Sequence, residues 1–278
     1  RVPLAHISGG ETTEGAIDES IRHSLTKMSA YHFPAAEAYR KRIIQMGEEA
    51  GRVFNFGHIG MDNIKKLRLL TKEQIAKDLN FDLKGRCAIV TYHPVTLEGN
   101  SYVSQIRDLL GAVKGLNIKI IFTKSNADSG GRRINEEIGK FCKSDPSKYK
   151  FVDNLGQVRY LSCLKNFDLM IGNSSSGLFE GPSFKIPTVN IGDRQKGRLR
   201  SSNIIDCAAS KPAILRAVTE AFSSSFRKKA LRAKNPYEKP GIKYASRSVK
   251  DKLKILDLDP NMLKKPFFDI DFKYKKAN

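Results

Sequence analysis

The sequence predicts an α/β protein built around a doubly wound parallel sheet. From Cys87 onward, short apolar and partly β-branched runs alternate with stretches of helical spacing. Those runs lack a polar face, as strands covered by helices on both sides require. Finally, His93, Lys124–Asp128, Asn173–Ser176 and Gly192–Arg194 all fall at the carboxyl ends of these runs, where open α/β sheets bind ligands.

Taken in order, Val2–Ile7 reads as the end of a strand entering a Gly-Gly turn. Asp18–Ser29 and Pro34–Met46 have helical periodicity, and Phe54–Gly57 resembles another strand. These first ~60 residues fall short of an independent α/β domain of ~100, so the chain is expected to begin in mid-domain. Next come strand Cys87–Tyr92, helix Tyr102–Val113, strand Ile118–Thr123 and helix Arg132–Cys142. Strand Phe151–Val152, helix Arg159–Lys165 and strands Leu169–Ile171, Thr188–Ile191 and Ile204–Cys207 complete the sheet. Pro236–Gly241 reads as a linker and Ala245–Leu256 as an amphipathic helix. The aromatic, basic tail after Pro260 is expected to pack back on the N-terminal part. There are no internal repeats.

Composition narrows the class. With 278 residues, 40% of them hydrophobic and no low-complexity tract, the chain is a folded globular protein. No apolar run approaches the ~20 residues of a membrane span, and the first residues lack the apolar core of a signal peptide. Cys87, Cys142, Cys163 and Cys207 are scattered, which suggests reduced structural thiols in a cytoplasmic protein. No metal site and no cofactor are expected. Lys and Arg number 49 against 29 Asp and Glu, a net charge of +20. Nucleic-acid or membrane binding is one reading of that excess. Lysines spread along the whole length favour the other, a solvated basic surface with neither partner.

Leu169–Pro182 carries the most chemistry. An apolar strand runs into Asn173, three serines and a glycine, and a helical pattern then begins. Backbone N–H groups at a helix start, with the hydroxyls of Ser174, Ser175 and Ser176, can hold a phosphate. Glu180, one turn further, would repel that anion but could accept hydrogen bonds from ribose hydroxyls. The pattern suggests a sugar nucleotide; an ordinary N-cap is the alternative. In the N-terminal segment, Glu11 follows a Gly-Gly turn, and Asp18 and Arg22 lie four apart on one helix face. Two carboxylates in different surroundings can serve as acid and base. Alternatively, Asp18 and Glu19 only complement the helix dipole, with Arg22 paired to Asp18.

Six motifs then occur in one order: His6-Ile-Ser-Gly-Gly-Glu11, Asp18-Glu-Ser-Ile-Arg-His23, Thr91-Tyr-His-Pro-Val-Thr96, Asn126-Ala-Asp128, Gly172-Asn-Ser-Ser-Ser-Gly177 and Asp193-Arg-Gln-Lys-Gly-Arg198. The chain resembles the hydrolysing UDP-N-acetylglucosamine 2-epimerases of sialic-acid-type sugar biosynthesis over essentially its whole length. The resemblance implies two Rossmann-like domains facing each other across a cleft, as in GT-B glycosyltransferases, with the N-terminal one incomplete. Residues 1–64 would be the remainder of that domain and 65–235 the UDP-binding domain. Residues 236–278 would be the linker, helix and tail. It implies elimination of UDP to a glycal and addition of water, giving UDP and N-acetylmannosamine, or the C2-inverted 2,4-diacetamido-6-deoxy sugar.

By the same resemblance Glu11 and Asp18 are the acid–base carboxylates and Arg22 serves the diphosphate. His93 stabilises the departing UDP, Ser174 and Ser175 hold phosphate oxygens, and Glu180 holds the ribose. Asn126 contacts UDP and Arg194 lies near phosphate. Family members often form dimers or tetramers. An arginine-bearing loop and a further acidic residue that precede the first motif in full-length members are absent here, so a truncated chain of poor activity is expected. Lys124-Ser125 precede Asn126 where the family commonly has a proline. A glycosyltransferase would explain the serine turn but not Glu11 and Asp18. A non-hydrolysing 2-epimerase and an inactive UDP-binding fragment remain the alternatives.

Overall fold

The computed structural model describes residues 2–14, 18–95, 101–256 and 264–270, so Thr96 of the third motif and part of the tail lie outside the described residues. As far as they are described, the residues form two compact units. One comprises Arg1–Thr12, Asp18–Asp62 and Tyr237–Asn278, the other Thr13–Ile17 and Asn63–Pro236.

The first unit contains β1 (Ala5–Ile7), α1 (Asp18–Met28), β2 (Tyr31–Phe33) and α2 (Glu37–Gln45). Helix α3 (Met61–Lys66) begins at its boundary. Strands β1 and β2 pair in parallel, with His6 opposite His32. The strand expected at Phe54–Gly57 does not form; only Val53 bridges to His32. The aromatic alternation there serves packing instead. Phe54 lies 5.8 Å from Phe33, and Phe56 stacks on Phe54 at 6.5 Å.

Beyond α3, the second unit is a six-stranded parallel sheet with helices on both faces. Its elements are α4 (Lys72–Leu79), β3 (Cys87–Thr91), α5 (Tyr102–Val113), β4 (Lys119–Thr123), α6 (Gly131–Ser144), β5 (Tyr149–Val152), α7 (Gly156–Asn166) and β6 (Leu169–Gly172). There follow α8 (Ser176–Phe179), α9 (Gly181–Phe184), β7 (Thr188–Ile191), β8 (Ile204–Cys207), α10 (Lys211–Phe222) and α11 (Ser224–Leu231). The strand order β5-β4-β3-β6-β7-β8 is, counted from β3, the Rossmann order 3-2-1-4-5-6. Alternate strand residues feed two cores. Ala88, Val90, Ile120 and Phe122 pack with α5, α6 and α10, while Cys87, Ile89 and Ile121 pack with α4 and α7. The chain reverses its direction across the sheet between β3 and β6, which is the topological switch point.

In the first unit, α12 (Ala245–Lys254) starts on Asp62, whose buried carboxylate accepts from the N–H groups of Ala245 (2.8 Å) and Ser246 (2.9 Å). The described tail lies on the end of α1 and on the turn after α2. Phe268 N–H donates to Gly47 O at 3.0 Å, and Lys27 sits 4.7 Å above the Phe267 ring.

Candidate active site

At the switch point the loops after β3 and β6 are tied together by Asn173, which is fully buried. Its Oδ1 accepts from His93 N–H and its Nδ2 donates to His93 O, both at 2.7 Å. Gly172, with φ 138°, permits the close approach; a Cβ there would stand 1.8 Å from Thr91 O. From the β7 side, Gln195 Nε2 (2.9 Å) and Arg194 Nη1 (3.4 Å) donate to Asn173 O. Sequence reasoning took this asparagine only as part of the serine turn. The signal was its position between a glycine and Ser174 at a strand end.

His93 therefore has a fixed ring. Asn126 N–H donates to its Nδ1 at 3.1 Å, and the Ser125 hydroxyl lies 3.4 Å from the same atom. An acceptor Nδ1 leaves the proton of the neutral imidazole on Nε2. Burial, then the nearby Arg194 guanidinium, push the His93 pKa down from 6.5 to about 4, with Asp128 opposing. At neutral pH His93 is thus an uncharged donor. Asn126 Nδ2 donates to Asp128 Oδ2 at 2.5 Å, and Arg194 Nη2 stands 4.0 Å from that oxygen.

A cavity of about 570 Å³ opens at the same strand ends, lined among others by Thr91, Thr123, Tyr160, Ser174, Ser176 and Glu180. Oε2 of Glu180 is buried and accepts no hydrogen bond from the described residues. Burial pushes its carboxyl pKa up, with the Ser176 hydroxyl and its own N–H opposing. Tyr160, from α7, was not singled out in the sequence because its position looks like any apolar helix position. One expectation is corrected here. The helix after the serines is two four-residue turns, α8 and α9, broken at Glu180-Gly181-Pro182. Such turns carry little macrodipole, so the donors available to an anion are individual N–H and hydroxyl groups.

In the first unit Glu11 is 4% exposed, whereas Asp18, opening α1, is exposed. Arg22 does not pair with Asp18. It binds Glu19 at 3.2 Å and donates to Glu11 O at 3.2 Å, so the four-residue spacing gave the right face but the wrong partner. Glu19 also faces His23 at 3.1 Å.

A model of the UDP-N-acetylglucosamine 2-epimerase family matches residues 1–254. The chain belongs to this family. It is 50% identical over 206 residues to a Campylobacter jejuni relative, GDP/UDP-N,N'-diacetylbacillosamine 2-epimerase (hydrolyzing), covering 74% of this chain and 54% of the relative. It is 35% identical over 245 residues to the UDP-N,N'-diacetylbacillosamine 2-epimerase (hydrolyzing) of Legionella pneumophila, covering 88% and 60%. The chain thus spans little more than half the length of these two epimerases. Its fold matches that of the Neisseria meningitidis UDP-GlcNAc 2-epimerase solved with UDP-GlcNAc. There the TM-score is 0.75 at 16% identity, over 91% of this chain and 70% of that one. The GT-B-like α/β class expected from the sequence is the class of these epimerases. No helix among the described residues is long and apolar enough to cross a membrane.

Proposed function

We propose that the chain carries the nucleotide-binding and acid–base residues of a hydrolysing 2-epimerase, which converts a UDP-linked 2-acetamido sugar and water to UDP and the C2-inverted free sugar. The observation that supports this reading best is the arrangement at the switch point: Ser174, Ser176 and a Glu180 with an unsatisfied oxygen line one cavity, and Asn173, between them and β6, braces a neutral His93.

In this reading Ser174, Ser175, Asn126 and Arg194 hold the diphosphate. Glu180 accepts from the ribose hydroxyls, which would satisfy Oε2 and favour its ionised form. A carboxylate, Glu11 or Asp18, takes the C2 proton while the C1–O bond breaks and UDP leaves with the electron pair. His93 Nε2–H bonds the developing phosphate charge, and a preorganised neutral donor needs no reorganisation to do so. The other residue, as its carboxylic acid, gives its proton to C2 from the opposite face, and the carboxylate so formed takes the proton that water loses as its oxygen bonds C1. Arg22 serves the diphosphate side, although its present partners are Glu19 and Glu11 O.

The sugar is N-acetylglucosamine or its 2,4-diacetamido-6-deoxy relative. The names of the 50% and 35% identical relatives favour the second. The same reading takes the protein to be cytoplasmic, in keeping with its four free cysteines, and a homo-oligomer.

The test is incubation of the chain with each UDP-sugar in deuterated water, followed by NMR of the anomeric and C2 positions. UDP and a free sugar deuterated at C2 are expected. A UDP-linked C2 epimer would make it non-hydrolysing. Intact substrate with tight UDP binding would make it a UDP-binding protein without turnover.

A further inference from the structure

Glu11 stands on a turn that its neighbours over-determine. Ser8 takes φ 63°, unusual for a residue with a side chain, and Gly10 takes φ 75°. A Cβ on Gly10 would stand 2.5 Å from Tyr39 O and 2.8 Å from Ile43 Cγ1, so the turn lies directly on α2. Two guanidinium groups then reach two successive carbonyls. Arg42 Nη1, from the end of α2, donates to Gly10 O at 2.5 Å, and Arg22 Nη1, from α1, donates to Glu11 O at 3.2 Å.

Those carbonyls belong to the peptide planes on either side of the Glu11 Cα. Each peptide is planar, so holding both planes fixes φ and ψ of Glu11 and the direction of its Cα–Cβ bond. The bonds are charge-assisted. Arg42 has no carboxylate partner among the described residues; its guanidinium lies over the Tyr39 ring at 5.6 Å. Tyr39 is fully buried and shares a hydroxyl contact of 3.0 Å with Tyr237. The cation thus has a rigid base and one polar target, Gly10 O.

We infer that Arg42 is a positioning residue for the carboxylate of Glu11, acting with Arg22 as a clamp on the two peptide planes that flank it. The inference rests on the acid–base role proposed for Glu11. It does not require Arg42 to touch the sugar nucleotide. Arg42 is also the cleaner of the pair to test, because Arg22 is itself assigned to the substrate.

The test compares Arg42→Gln and Arg42→Lys with the parent chain by two readouts. Amide exchange at Gly10–Thr12 and the side-chain couplings of Glu11 read the clamp without any need for turnover. With one charge-assisted bond removed, exchange at those amides is expected to rise about tenfold in Arg42→Gln. The Glu11 rotamer should spread, while α2 amides stay protected and UDP affinity stays unchanged. Arg42→Lys, which keeps a donor, should restore most of the protection. Unchanged exchange in Arg42→Gln overturns the clamp whether or not the chain is an epimerase. In turnover, kcat should fall by up to about a hundredfold at constant KM, the scale of a small misplacement of a catalytic group. A loosened turn with normal kcat, or a raised KM with normal kcat, overturns the positioning role. If the parent chain turns over neither sugar, the function proposed above fails, and exchange with the Glu11 couplings still decides whether Arg42 sets the carboxylate.

Discussion

Replacing Lys265 by methionine should loosen the first unit far more than its place in a C-terminal tail suggests. The Lys265 ammonium donates to three carbonyls at the end of α1, those of Ser29 (2.8 Å), Lys27 (3.0 Å) and Thr26 (3.3 Å). Thr26 and Lys27 lie in the last turn of α1, where carbonyls lack i+4 partners, and Ser29 follows it; Thr26 O also accepts from Ser29 N–H at 3.3 Å. The same ammonium pairs with Glu48, whose side chain is 2% exposed. Breaking a buried ion pair outright costs about 3–5 kcal/mol. Glu48 would keep Lys27 at 2.7 Å and His32 at 2.9 Å, so about 2–3 kcal/mol is expected, most of it from the partly stranded carboxylate and carbonyls.

Urea unfolding followed by circular dichroism, with amide exchange over Arg22–Glu48 to localise the effect, measures this loss. Substituting the exposed neighbour Lys264 is the control. The pH dependence has a definite sign. Although burial raises the Glu48 pKa, the bonds from Lys265 and Lys27 outweigh it and hold the carboxyl below its usual 4.5. Its contribution is therefore complete above 4.5 and disappears as pH falls through the depressed value. The gap between parent and variant should shrink over that range. A gap under about 0.5 kcal/mol at neutral pH, the scale of an ordinary surface substitution, or one that does not shrink in acid, would refute the reasoning.

Three further outcomes follow from the switch point. Nitrogen-15 spectra should show His93 as the Nε2–H tautomer at neutral pH, titrating near 4. Between 6.5 and that value the unfolded chain takes a proton that the folded site refuses, so this unit should lose up to about 3 kcal/mol as pH falls; a ring titrating at 6.5 would contradict the assignment. Glu180→Gln should weaken UDP about tenfold or more, the scale of a lost charged hydrogen bond, while leaving 2'-deoxy-UDP much less affected; equal losses would remove the ribose from its role. Asn173→Leu should cost about 2–4 kcal/mol, because it strands His93 N–H and His93 O in a buried brace, and should abolish UDP binding. Calorimetry and denaturation measure both, and unaltered UDP affinity would show that the brace is dispensable.

How far the fold could be read follows the length of its signals. The second unit was legible because strands such as Cys87–Thr91 are uniformly buried and sit between long amphipathic helices. In the first unit, β2 is three residues long with a buried histidine at its centre, paired to Glu48. No hydrophobic period marks such a strand, whereas the Phe54–Phe56 alternation imitates one and serves ring packing. Helix α4 was passed over although Thr71 and Gln74 form a capping box at its start. The strand-end positions of His93, Asn126 and Asn173–Ser176 were legible because alternating strands and helices place them. The partner of Arg22 and the existence of the Arg42 bond were not, since helical spacing names a face and not the atom a long side chain reaches.

The charge of the chain also takes a different meaning at the site. A net +20 invites the idea that a diphosphate is simply drawn to a positive cleft. Yet beside His93 the Arg194 guanidinium is turned toward Asn173 O and Asp128, and the histidine is neutral. The cavity there includes Glu180 and Asp153 as well as Lys124. What the second unit offers an anion is a set of oriented, mostly uncharged donors held by Asn173 and by the close approach that Gly172 allows. Donors fixed in advance favour charge that develops at a defined oxygen more than charge already spread over a bound diphosphate. Under the proposed function, that is what a site needs in order to help UDP leave rather than only retain it.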